Sequence, residues 1–149
     1  MQVIVIPFRL REAHDPEYAI FRRSDDAKWQ PIAGGAEDAE TPVEAARREA
    51  SEEAGLPFST PLYELQSLDS VPVFFPRPRN LARRSVLVPQ ICFAADATDL
   101  ELEISDERTK IEWLDYDSAT ARPAYQSNAT ALWELNERLK RRDLPCLVQ

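Results

Sequence analysis

Residues 34–56 read GGAEDAETPVEAARREASEEAGL, and this segment contains the signals for both ends of a helix. Thr41 and Glu44 match the N-cap and N3 positions of a capping box, with a proline at the first helical position between them. At the other end, Gly55 suits the left-handed residue that follows a helix, and the leucine and proline after it prevent continuation. The stretch therefore predicts a helix over residues 42–54.

The polar face of this helix is acidic. Glu49, Glu52 and Glu53 follow i, i+3, i+4 spacing, so their carboxylates lie within about 100° of one face and repel one another unless a cation is present. An all-oxygen cluster suits Mg²⁺ or Mn²⁺, and such ions bridge carboxylates to phosphate oxygens. The opposite face has small apolar side chains that favour close packing on a sheet: Val43, Ala46, Ala50 and Ala54.

An acidic helix face is also typical of solvated surfaces, and Glu44 four residues before Arg48 predicts an ordinary ion pair. The adjacent glycines Gly34 and Gly35 favour the metal interpretation. Such a pair predicts a tight turn with positive φ, and the backbone amides of that turn can hold a phosphate group. We therefore expect a glycine turn beside the acidic face.

The composition is that of one soluble domain, which we assign to residues 1–149. The chain is 44% hydrophobic, and 18 Lys and Arg against 26 Asp and Glu give a formal net charge of −8. This charge argues against binding to a nucleic-acid polymer or an anionic membrane, and a polyanionic ligand would need local cations. All 3 glycines lie between residues 34 and 55.

The location that the sequence favours is the cytoplasm. Cys92 and Cys146 occur in apolar contexts without a second cysteine or histidine nearby, which predicts buried thiols of a reducing compartment. The apolar run at the N-terminus is interrupted at Pro7, so it fits neither a signal peptide nor a membrane anchor.

Strand patterns surround the predicted helix, and a second helix follows near residues 128–142. In that helix Leu132, Leu135 and Leu139 recur at helical spacing, and together with Trp133 they predict core positions. The strand patterns, of which the first two form a predicted hairpin, cover residues 3–10, 17–23, 29–33, 63–75, 85–95 and 111–114.

Read from Gly34, the chain resembles the Nudix box, GX5EX7REUXEEXGU with U an aliphatic residue, which is the signature of the Nudix hydrolases. Eight of the nine defined positions match, and the exception is Ala50, where the family has Ile, Leu or Val. Average composition makes eight such matches by chance an event on the order of one in a million. Ala50 lies on the apolar face of the helix, so the departure leaves the carboxylates unchanged.

The resemblance implies an α/β fold, an α/β/α sandwich with a mixed sheet between the box helix and the C-terminal helix. It also implies hydrolysis of a nucleoside diphosphate linked to another moiety, with Mg²⁺ or Mn²⁺ as cofactor. By motif position Glu49, Glu52 and Glu53 would be the metal ligands, and Glu49 is also a candidate base for the attacking water. Arg48 and Glu40 would orient the glutamates.

Family members often recruit a further glutamate from outside the box. The candidates here are Glu101, Glu103, Glu107 and Glu112. Glu107 is preferred as a metal ligand and catalytic residue because residues 105–114 look like the family segment S-x-E-H followed by W-L. Arg108 stands where the histidine is usual, and a solvated acidic loop is the alternative interpretation.

Segments outside the box, among them residues 21–30 and 112–115, look most like the members that release pyrophosphate from a pterin or deoxynucleoside triphosphate. Arginines at 77, 79, 83 and 84 would suit a triphosphate tail, although a solvated loop explains them equally well. The substrate-binding candidates are Gly34, Gly35, Arg22, Arg83 and Arg84.

Two alternatives remain open for the activity. The chain is either another Nudix hydrolase, acting on a dinucleoside polyphosphate, ADP-ribose or an oxidised nucleotide, or a Nudix-like nucleotide-binding module without turnover. In each case the expected partner is a small phosphorylated molecule, and the protein is a monomer or a homodimer.

Overall fold

The computed structural model describes residues 1–72, 86–123 and 127–148. The elements are β1 Gln2–Arg9, β2 Glu17–Arg23, β3 Trp29–Gln30, β4 Ile32–Gly35, α1 Pro42–Ala54, β5 Leu62–Pro72, β6 Leu87–Asp96, β7 Arg108–Leu114, α2 Tyr116–Ala121 and α3 Ser127–Arg141. The predicted hairpin is confirmed, because β1 and β2 pair antiparallel. The short helix α2 was not predicted. Its N-cap is Asp115, and six residues are too few to show a helical period.

In the described part of the chain seven strands form one mixed sheet. Five of them follow one another in the order β3-β2-β1-β6-β5. β1 lies at its centre, parallel to β6 and antiparallel to β2. β4 also pairs with β1, along residues 2–5, and β7 pairs with β2. This arrangement places β4 beside the first half of β1, next to the helix that follows it in the chain.

Each face of the sheet is covered by helices. On one face the alanines of α1 pack against a cluster that includes Val3, Phe21 and Phe93. On the other face α2 and α3 pack against a second cluster, in which Leu132 and Leu135 are buried. Burying such leucines contributes about 1.5–3 kcal/mol each. The expected α/β/α sandwich with a mixed sheet is therefore confirmed.

The ends of α1 are as predicted. The Thr41 hydroxyl accepts a hydrogen bond from the Glu44 backbone, and the Glu44 carboxylate accepts from the Thr41 backbone. Gly55 follows the helix with φ 66° and donates to carbonyls of the last turn. These caps fix the helix to residues 42–54, the range expected from sequence.

The predicted turn at Gly34 and Gly35 is wrong. Both residues lie in β4 and pair with Val3 and Gln2 of β1. Of the three glycines, all in the described residues, Gly55 alone has a positive φ. The physical requirement at Gly34 is space, because a Cβ there would lie 1.9 Å from the carboxylate of Glu49.

Three further expectations differ from the structure. Glu44 is used in the helix cap, and Arg48 instead pairs with Glu40, Glu49 and Glu52. Cys92 is buried as predicted, but Cys146 is exposed in the segment after α3. Trp133 is 54% exposed because it lies beside the leucine stripe and not within it. Among the described residues, no helix has the length and apolar character needed to cross a membrane.

Replacing Gly55 by alanine should destabilise the protein by about 1–2 kcal/mol, the cost of holding an L-residue in the left-handed region. Its new Cβ would also lie 3.0 Å from the Glu103 side chain. Urea unfolding followed by circular dichroism measures the difference. G35A is the matched control, because its φ is not positive and no atom lies within 4 Å of the added Cβ. Equal stability of G55A and G35A would contradict the left-handed conformation assigned to Gly55.

Candidate active site

Three segments of the chain surround one cavity of about 500 Å³. They are the acidic face of α1, the end of β4 and the loop that precedes β7. The lining residues are Ala33, Gly34, Glu49, Glu52, Glu53, Ser105, Asp106 and Glu107. The structure thus brings Glu107 to the box glutamates, as well as Gly34.

Two of the three box glutamates are buried. Glu49 is 9% exposed and Glu53 is 5% exposed, whereas Glu52 is open to solvent. The burial follows from the packing of α1, because its alanines allow the helix to lie close to the sheet. The missing side chain of Gly34 leaves the volume that the Glu49 carboxylate occupies.

Arg48 connects the glutamates on the outer side of the acidic cluster. Its Nη1 donates to Glu49 Oε1 at 2.8 Å and to Glu52 Oε2 at 3.1 Å. Its Nε donates to Glu40 Oε1 at 2.8 Å, and its Nη2 donates to the Gly35 carbonyl at 2.9 Å. One guanidinium therefore orients three carboxylates and ties α1 to β4.

Arg108 occupies the inner side, where its side chain is 2% exposed. Its Nη2 donates to Glu53 Oε2, and the Ala33 backbone N–H donates to the same oxygen at 3.3 Å. With the Gln30 amide oriented so that its oxygen faces Arg108, that oxygen accepts from Nη1 and Nη2 at 3.2 and 3.3 Å. Glu53 is thus held by groups from β4 and β7.

The buried carboxylates resist ionisation. Burial raises the pKa of Glu49, and the charges of Glu52 and Glu107 raise it further against the opposing effect of Arg48. Burial also raises the pKa of Glu53 to about 7, because it outweighs the hydrogen bonds from Arg108 and Ala33. A bound cation would favour the charged form of both groups.

The donor set fits a hard divalent cation, since every acidic group at the cavity offers carboxylate oxygens. The position of Glu49 also suits a cation. Its carboxylate is buried in the space left by the missing side chain of Gly34, and a bound cation would stabilise the charge of that buried group. Within residues 1–72, 86–123 and 127–148, no three aspartate, glutamate, histidine or cysteine side chains lie close enough together in this conformation to hold a metal ion. Arg48 and Arg108 are the present partners of Glu49 and Glu53.

The remaining candidate glutamates lie elsewhere. Glu103 donates its backbone N–H to Ala54, and its side chain lies against Gly55. Glu112 lies on β7 and pairs with Lys110 of the same strand and with Arg122 at the end of α2. Glu101 is exposed and does not line the cavity.

The candidate cations are not gathered at the cavity. Arg22 is exposed on β2 and does not line the cavity. It alternates with Phe21, which packs towards α1, so Arg22 is directed to the opposite face of the sheet. Arg83 and Arg84 lie outside the described residues, as do the arginines at 77 and 79.

Four residues of this region were not assigned a role from sequence. Ser105 and Asp106 line the cavity, and they belong to the segment that identified Glu107. Arg108 was noted as a replacement for histidine, without its contact to Glu53. Nothing in the sequence marks Gln30, because its contact with Arg108 depends on the pairing of β2 with both β3 and β7.

Comparison with known proteins agrees with this fold. Solved structures similar to this chain include a NUDIX hydrolase of Listeria monocytogenes. It is 38% identical with a TM-score of 0.88, and the alignment covers 98% of each chain. Escherichia coli dihydroneopterin triphosphate pyrophosphohydrolase is 22% identical with a TM-score of 0.75, covering 91% of this chain and 94% of that one. A Caenorhabditis elegans Ap4A hydrolase is 18% identical with a TM-score of 0.70, covering 95% and 99%. No curated protein sequence matches significantly.

The family assignment rests on most of the chain. The model of the NUDIX domain matches residues 3–134, which include every described residue that lines the cavity. The chain therefore belongs to the Nudix hydrolase family.

Proposed function

We propose that the protein cleaves a pterin or nucleoside triphosphate to the monophosphate and pyrophosphate, with Mg²⁺ or Mn²⁺ as cofactor and water as the nucleophile. The observation that supports this proposal is the acidic cavity, in which the three box glutamates of α1 and Glu107 line one space. An acidic cavity alone would repel a triphosphate, so the substrate would enter with its cation. The catalytic and ligand roles below belong to the same proposal.

Glu49, Glu52, Glu53 and Glu107 are the proposed ligands of the cation. When bound, a divalent ion neutralises charge on the phosphate oxygens and acidifies a water molecule. Glu49 is the proposed base, because its carboxylate lines the cavity in which the attacking water would be held. The water oxygen bonds to phosphorus, the anhydride bond breaks, and Glu49 takes the proton while pyrophosphate leaves.

Arg48 would act through the glutamates and not on the substrate. All of its described hydrogen bonds go to carboxylates and to one backbone carbonyl, so its guanidinium orients the acidic face. Orientation of this kind contributes to catalysis because the reacting groups need not rearrange during the reaction. Gly34 would contact substrate through β4, because it lines the cavity, whereas Gly35 does not.

The choice of a triphosphate is supported by the sequence outside the box. Residues 21–30 and 112–115 look like the corresponding segments of dihydroneopterin triphosphate pyrophosphatases, which also act on dATP. Arg83 and Arg84 are the proposed cations for the phosphate tail, since guanidinium groups match phosphate oxygens. Arg22 is left out of this proposal because its side chain is directed away from the cavity. Ap4A and ADP-ribose are the competing substrates.

A substrate panel tests the proposal. Purified protein with Mg²⁺ is incubated with dihydroneopterin triphosphate, dATP, ADP-ribose and diadenosine tetraphosphate, and the products are separated by ion-exchange chromatography. We expect pyrophosphate from the first two and slower turnover of the others. E53Q should lower the rate by on the order of 100-fold, as for loss of one transition-state-stabilising group. Faster cleavage of ADP-ribose or the tetraphosphate would overturn the substrate assignment.

The variant G34A should fold and yet lose activity, because its Cβ would occupy the position of the Glu49 carboxylate. That carboxylate ends a flexible side chain and can turn away, so we expect little change in stability and a fall in kcat on the order of 10- to 100-fold. G35A adds the same methyl group where no atom lies within 4 Å. Similar kcat values for the two variants would contradict the role given to Glu49.

Activity at low Mg²⁺ should rise with pH through about 7, because Glu53 has a pKa of about 7 and must lose its proton to bind a cation. The groups that face it, Arg108 and Glu49, modify this value without removing the effect of burial. Saturating Mg²⁺ should move the midpoint to lower pH, since the cation favours the ionised carboxylate. Profiles of kcat/KM at two Mg²⁺ concentrations measure the shift. A midpoint independent of Mg²⁺ would contradict the prediction.

A further inference from the structure

Arg108 reaches the inner side of the cavity because of an irregularity in strand pairing. Arg22 pairs with Lys110, but the next residue, Arg23, pairs with Arg108, so β7 contains one extra residue at this point. In regular pairing, alternation would direct the Arg108 side chain to the α3 face of the sheet. The extra residue reverses its direction, an effect that β-bulges have near functional sites.

The contact that results is a buried ion pair. The side chains of Arg108 and Glu53 are 2% and 7% exposed. Burying two charges is costly, and removal of one partner leaves the other uncompensated. The Gln30 amide oxygen and the Ala33 N–H make further hydrogen bonds, so residues from β3 and β4 support the pair.

The hydrogen bonds that the described residues make to Glu53 are one-sided. Arg108 Nη2 and the Ala33 N–H both donate to Oε2, while Glu53 lines the cavity. A carboxylate fixed through one oxygen can present the other, Oε1, to a ligand in the cavity. Partners of this kind orient a metal ligand, and their removal typically weakens metal binding by about 10- to 100-fold.

We propose that Arg108 is a positioning residue, which fixes Glu53 through Oε2 so that Oε1 faces the cation of the hydrolytic site. This inference rests on the proposed metal-dependent function, and it assigns to Arg108 a role outside the Nudix box. Arg108 itself neither contacts the substrate nor transfers a proton. It acts only through Glu53.

The test is Mn²⁺ binding measured by electron paramagnetic resonance on the intact wild-type protein and on R108Q. We expect R108Q to bind Mn²⁺ about 10- to 100-fold more weakly, the range found when an outer partner of a metal ligand is removed. R138Q is the matched control, because Arg138 Nε pairs with Glu134 at 2.8 Å on α3, on the opposite side of the sheet. Unchanged Mn²⁺ affinity in folded R108Q would overturn the proposal.

A double variant separates positioning from a general structural effect. If Arg108 acts through Glu53, then E53Q/R108Q should bind Mn²⁺ no more weakly than E53Q alone. R108K should recover part of the affinity, because lysine restores the charge without the two-pronged geometry. In kinetic assays R108Q should lower kcat and raise the Mg²⁺ requirement, with KM for the substrate changed less than threefold. Additive losses in the double variant would overturn the inference.

Circular dichroism establishes whether R108Q folds. If it does not, a crystal structure of the wild-type protein with Mn²⁺ decides the matter: Arg108 still bonded to Oε2 while Glu53 binds the ion supports the proposal, and a Glu53 turned away from Arg108 overturns it. Failure of the proposed function would appear differently, as a wild-type protein that hydrolyses no phosphoanhydride. The Mn²⁺ measurements would still report on Arg108.

Discussion

Repulsion between carboxylates on one face of α1 is the constraint on which the site depends. Like charges at i, i+4 spacing destabilise an exposed helix by roughly 0.2–0.5 kcal/mol, and the lower dielectric constant around buried carboxylates increases the repulsion. The protein offsets this repulsion with two arginines on different sides of the cluster. Arg48 lies on α1 itself, whereas Arg108 comes from β7 and lies within the protein.

The two arginines have different physical roles because their surroundings differ. Arg48 is partly exposed, and it divides its donors among three glutamates, so the loss of any one contact costs little. Arg108 is buried and has a single carboxylate partner among the described residues, so its pair persists only while both charges are present. The outer arginine therefore shapes the acidic face, and the inner one fixes a single ligand.

Local chemical signals explain how much the sequence could predict. The limits of α1 followed from its caps, the three-layer sandwich from the resemblance carried by the box, and the cavity's acidic residues from helical spacing and the segment around Glu107. The pairing of Arg108 with Glu53 could not be predicted, because it depends on one extra residue in β7. Gln30 escaped notice for a similar reason, since its neighbour belongs to another strand.

The error at Gly34 shows why glycine must be interpreted with its surroundings. A glycine pair usually indicates a turn because glycine accepts positive φ without strain. Gly34 is instead extended in a strand, where glycine costs roughly 0.5–1 kcal/mol relative to alanine. The cost is offset by what the missing Cβ permits, which is a glutamate carboxylate directly above the backbone. The glycine that begins the box therefore determines where the carboxylate of Glu49 lies, and only Gly55, which ends α1, is needed for its backbone conformation.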